Sequence, residues 1–194
     1  MGTTQLNSSL ILIERDIIGG QNVTNQAFSA YSTSVDFPNI ELPIFVNYAM
    51  QKDFILAKKS GISDFNQKMV IAKYGKISAG QKVKNAMEYK VKGMLLYADP
   101  EDFARDDRFD TNVFPNSWWL PKTGIVRESV AMSSGDPETP GWPSLKRSNV
   151  HRSGNTDHSI PNIPVQPISY DGAREIVAAL GGQNNWPSNW TTGE

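Results

Sequence analysis

Residues 68–100 constrain the fold more than any other stretch, because they read without a break as strand, helix, strand: KMVIAKYG, then KISAGQKVKNAMEYKVK, then GMLLYADP. Met69, Val70, Ile71 and Ala72 form an apolar run too short for an ordinary helix and closed by Gly75, which suits a buried strand. The period then changes. Val83, Ala86, Met87 and Val91 fall at i, i+3, i+4 and i+8, one apolar stripe, with Lys82, Lys84, Lys90 and Lys92 on other faces. Gly93 is placed to cap the helix. Met94, Leu95, Leu96 and Tyr97 make a second buried strand, which the Asp99-Pro100 turn signal ends. Periodicity asks no more of this βαβ-like unit than half of a hydrophobic core with a solvated lysine face, and its helix is the part placed to show residues to a partner.

The rest of the chain fits around that unit. Residues 1–43 are polar and turn-rich apart from a strand-like segment at 10–18, and read as an arm. IFVNY, at 44–48, reads as a strand, and 51–60 as a helix that Gly61 stops. Ile125, Val126, Val130 and Ala131 suggest a short strand, and GDPETPGWP, at 135–143, a rigid turn. The prolines of IPNIPVQPIS, at 160–169, restrict it to an edge or extended path. Ala173, Ile176, Val177 and Leu180 then trace a clear amphipathic helix. At 194 residues this is one domain or one domain with extensions.

Several chemistries are excluded or unsupported. Nineteen Lys and Arg against 20 Asp and Glu leave a net charge of -1, so no field draws the chain toward nucleic acid. No run approaches the ~20 apolar residues of a membrane span. Without cysteine there is no disulfide, thiolate metal site or cysteine nucleophile. His151 and His158 lie seven apart in a polar loop, a spacing that fits no zinc motif, and no G-x-S-x-G turn presents a serine. The acidic stretch EDFARDDRFD, at 101–110, lacks the spacing of a calcium loop. Trp118 and Trp119 stand together between prolines, as a contact surface for a peptide or as packing within the domain. Sequons at Asn7, Asn22 and Asn189 lean toward the secretory pathway and glycosylation.

KYGKISAGQKVKNAMEYKVKGMLLYADPEDF, GDPETPGWP and NIPVQPIS, in this order and spacing, closely resemble the protease-associated (PA) domain of the glutamate carboxypeptidase II and transferrin receptor family. The likeness takes in NVTNQAFSAYS and FVNYAMQKDF, and so spans residues 20–190. It implies an α+β fold, a β-sandwich-like or barrel-like core flanked by short helices, with an arm at 1–20 and a tail at 191–194. It also implies a substrate-lid role over a zinc-peptidase domain that carries the two-zinc ligands and the catalytic glutamate, none of which stands in these residues. The chain is then expected to be an excised or truncated apical domain without catalysis of its own, from an extracellular or secretory-lumen parent. Its partners are the parent's peptidase domain, a peptide substrate and a second copy of the parent. Zinc belongs to the missing domain. The alternative is a receptor-like or sorting module, and a third reading is a free-standing peptide-binding domain.

Two family sites carry over by position. Where the family has an arginine that grips a substrate carboxylate, this chain has Ala79, and a methyl group cannot replace a bidentate fork. An asparagine that assists substrate binding aligns with Ser129, across a gap that differs by two residues. Both departures argue against a strict preference for a C-terminal glutamate. The T-P-G-Y element that supplies calcium ligands in the family matches Thr139 and, at the tyrosine position, Trp142. This half-site is expected to bind calcium weakly or not at all without its peptidase domain.

Overall fold

The computed structural model describes residues 28–33, 42–104, 112–137, 139, 142–143, 159–180, 187 and 190, and the backbone of residues 6–7, 9–10, 16–18, 21–24 and 140. Both histidines, Asn189 and residues 105–110 of the acidic stretch lie outside these. Two short antiparallel pairs come first: β1 (Leu6–Asn7) with β2 (Ser9–Leu10), and β3 (Asp16–Ile18) with β4 (Gln21–Thr24). The sequons at Asn7 and Asn22 fall on these strands. Then follow β5 (Ile44–Phe45), α1 (Gln51–Lys59), β6 (Met69–Lys73), α2 (Ala79–Glu88), β7 (Gly93–Tyr97) and α3 (Pro100–Phe103). A hairpin of β8 (Gly135–Asp136) and β9 (Thr139–Pro140) precedes β10 (Val165–Pro167) and α4 (Tyr170–Leu180).

The centre is a four-stranded parallel sheet in the order β10-β7-β6-β5. Register runs from Met69 opposite Gly93 to Lys73 opposite Tyr97. Every residue of β6 and β7 is buried, as expected of parallel strands covered on both faces. Each large apolar side chain there contributes about 1.5–3 kcal/mol on leaving water. Short helices beside this sheet make the α+β class, with the strand, helix, strand unit at its middle. β10 is an edge strand, which accommodates its proline. The stripe of α4, Ala173, Ile176, Val177 and Leu180, is buried throughout.

Local chemistry explains the helix ends. Asp53 accepts a hydrogen bond from the Met50 N–H at 3.0 Å and so caps α1 at its start. At its other end Gly61 (φ 107) donates to Lys58 O while Ile62 donates to Ala57 O, a Schellman closure. α2 ends the same way through Lys90 (φ 57), with Lys90 bonded to Met87 O and Val91 to Ala86 O. Gly93 is therefore not a cap. It lies inside β7, where a Cβ would meet Met69 Sδ at 2.8 Å and Pro164 Cγ at 3.2 Å.

Four further expectations need correction. Lys82 is not on a solvated face but fully buried. The 44–48 strand is cut to two residues because Asn47 (φ 50) and Ala49 (φ 52) turn the chain, while Val46 N–H still reaches Ile71 O. The Asp99-Pro100 pair starts a helix, with the Asp99 carboxylate accepting from the Glu101 N–H. Residues 125–131 join no ladder: Val130 N–H goes to Ala30 O, and the segment runs instead along the first turn of α2.

Candidate functional site

In open parallel sheets ligands bind beyond the carboxyl ends of the strands, where the loops diverge. Here that region holds a cleft of about 500 Å³, lined by residues that follow β6 (74–78), by Ala98 and Phe103 after β7, and by Trp119, Val126 and Glu128. Gly75 (φ 88) makes the turn out of β6, and its missing Cβ leaves room for the Phe103 ring, which would stand 3.2 Å away. Phe103 and Trp119 lie parallel, with centroids 6.0 Å apart, as one apolar wall.

Ser78, the N-cap of α2, lines the cleft together with Glu128. Ser78 Oγ accepts from the Gln81 N–H, and Glu128 Oε1 accepts from the Ala79 N–H at 2.9 Å. Gly80 lets the loop close onto the helix, because a Cβ there would sit 2.0 Å from Ala131 O. The structure thus brings Ala79 beside the 128–129 segment, and Ser129, exposed, accepts from the Ala131 N–H at 3.3 Å. Of the two neighbouring tryptophans, Trp119 is buried in the cleft wall and Trp118 is exposed, the rings meeting edge to face at 5.9 Å.

Beneath the cleft lies a charged cluster that sequence reading missed. Lys73 and Asp99 form an ion pair at 2.9 Å with both side chains buried. Lys82 Nζ donates to Tyr48 O and Gly75 O, both at 2.7 Å, tying the turn before α1 to the turn before α2. Tyr48 donates its hydroxyl to the Asp102 carboxylate, and the ammonium groups of Lys73, Lys76 and Lys82 stand 5.2–5.6 Å from its ring centroid. Burial lowers Lys82 to about 8, opposed by the charges of Glu128, Asp53 and Asp102. Burial, then the Asp102 hydrogen bond, raise Tyr48 above the usual phenol range, and burial pushes Tyr74 up to about 12. Asp53 is raised by burial, against the pull of its hydrogen bonds.

One signal for Lys82 was present: with Ala79, Val83 and Ala86 it stands at i, i+3, i+4 and i+7, the buried face of α2. Nothing in the spacing announced Glu128. Thr139 is buried in the β8–β9 hairpin, its hydroxyl 3.4 Å from Trp142 O and from Pro143 O. Trp142 O also accepts from the Asp136 N–H at 2.9 Å. Among the described residues no three His, Cys, Asp or Glu side chains gather to hold a metal, and no helix is long and apolar enough to cross a membrane.

Comparison with known proteins places this geometry. The family model of the PA domain matches residues 23–132. A glutamate carboxypeptidase 2 homolog of Caenorhabditis elegans is 31% identical over 150 residues, 76% of this chain and 19% of the relative. The aminopeptidase NAALADL1 of Mus musculus is 32% identical over 179 residues, 91% of this chain and 23% of the relative. Transferrin receptor protein 2 of Homo sapiens is 31% identical over 142 residues, 72% of this chain and 16% of the relative. The chain spans about a fifth of the length of these relatives.

Proposed function

The chain belongs to the PA domain family, and from that premise we propose that it is a non-catalytic substrate lid of a glutamate carboxypeptidase II-like zinc exopeptidase. The cleft beyond β6 and β7 carries this reading: it has apolar walls and few convergent polar groups, with Ser78 and Glu128 capping the start of α2 at its edge, which suits holding part of a peptide. Zinc and the hydrolytic groups then belong to the parent's peptidase domain. Thr139 and the Trp142 carbonyl would supply two of the six or more oxygens of a calcium site shared with that domain. Ala79 and Ser129, at the family's substrate-binding positions, leave no guanidinium for a terminal glutamate. Trp118 is a surface for the peptidase domain or a parent homodimer. An extracellular or secretory-lumen setting, with sugar on Asn7, Asn22 and Asn189, completes the proposal.

The likeness to transferrin receptor protein 2 favours a second reading, a receptor-like or protein-interaction module. The two part on one experiment. The 194-residue chain, purified with zinc and incubated with dipeptides, is expected to release nothing, whereas the longer gene product releases C-terminal residues in a zinc-dependent way. A longer product without that activity sinks the peptidase lid and leaves the receptor-like module.

A further inference from the structure

We propose that the cleft takes a cationic peptide side chain, arginine or lysine, with Glu128 as the specificity-determining residue. This rests on the substrate-lid reading and names the substrate class of that site. Glu128 commits Oε1 to the Ala79 N–H, and its Oε2 accepts no hydrogen bond among the described residues. The carboxylate therefore satisfies the helix start and still presents an acceptor to the cleft.

The neighbouring cations are turned elsewhere. Lys76 lines the cleft, yet its ammonium lies 3.8 Å from Asp102 and 5.2 Å from the Tyr48 centroid. Lys82 donates to two carbonyls, and the Arg127 guanidinium lies over the Phe28 ring. An acidic side chain entering here meets the Glu128 carboxylate. An arginine or lysine finds the reverse: its aliphatic stem packs on Phe103, Trp119 and Val126, and its charged head reaches the carboxylate. Arginine gains further from the aromatic wall, because a planar guanidinium stacks on ring faces.

The test is calorimetric titration of the chain with acetyl-alanyl-arginine amide, its citrulline analogue and acetyl-alanyl-glutamate amide, at low ionic strength. Arginine is expected to bind at least tenfold tighter than citrulline, which has the same shape without the charge, and the glutamate peptide weakest. In Glu128→Gln, whose amide oxygen still accepts from Ala79, the ratio of arginine to citrulline should fall to about one. Equal binding of arginine and citrulline, tighter binding of the glutamate peptide, no binding at millimolar concentration, or a preference that survives in a folded Glu128→Gln protein each overturns the assignment. Absence of hydrolysis by the longer gene product would remove the lid role while leaving this preference standing. Loss of the preference would leave a lid of another specificity.

Discussion

Replacing Lys82 by methionine should change the pH dependence of stability. At pH 7 two opposing terms are removed together. The two hydrogen bonds at 2.7 Å are charge-assisted and contribute about 1.5–3 kcal/mol each. Against them stands the cost of burying the ammonium, which the fall from 10.5 to about 8 sets at about 3 kcal/mol. The net loss is thus about 0–3 kcal/mol. The sign with pH is clear. Between pH 8 and 10.5 the unfolded lysine holds a proton that the folded one has released, so stability rises with pH through this window. The slope is about 1.2 kcal/mol per unit near pH 9, and the gain from pH 8 to 10 is about 2 kcal/mol. Above pH 10 the raised Tyr48, Tyr74 and Tyr97 act oppositely, because they keep protons that the unfolded phenols lose. Urea unfolding followed by tryptophan fluorescence at pH 7, 8, 9 and 10, on wild type and Lys82→Met, isolates the lysine as the difference between two curves. Parallel curves over pH 8–10 would refute the reasoning, since they would mean that Lys82 titrates alike folded and unfolded.

Three further outcomes can be checked by the same unfolding assay. Gly80→Ala should destabilise by about 1–3 kcal/mol despite a helix-propensity gain of about 1 kcal/mol, because its methyl group meets the Ala131 carbonyl; an unchanged midpoint would show that the 128–132 segment yields. Asp99→Asn keeps the cap on the Glu101 N–H but leaves Lys73 only the Glu101 carboxylate at 3.9 Å, and should cost up to about 3 kcal/mol, partly recovered in the double variant with Lys73→Met. Trp119→Ala should cost about 3–5 kcal/mol and Trp118→Ala no more than about 0.5 kcal/mol, so equal losses would contradict the different burial of the two rings.

The fold's centre was legible because its signals are local and redundant. Four apolar residues in a row, a change to helical period and a second apolar run can hardly be packed except as two buried strands with a helix between them. The α4 stripe was equally plain, and prolines placed 160–169 at an edge. The strand expected at 125–131 failed because its apolar residues answer to contacts distant in sequence: Val130 to Ala30, Met132 to Ser159, and the loop backbone to the face of Gly80. Lys82 was misplaced because a four-carbon stem counts as apolar packing once two carbonyls receive its charge.

By itself, then, the sequence determined the α+β class and the order of the central strands and helices. The tertiary structure alone decided which distant polar groups meet those elements. The carboxylate of Glu128, 49 positions beyond Ala79, reaches the α2 N-terminus, and buried Lys73, Lys82 and Asp99 gather with half-buried Tyr48 beneath the cleft. Periodicity reports which face of an element is apolar. It carries no record of which distant polar group will arrive to satisfy that element's ends, and burial makes that partner obligatory.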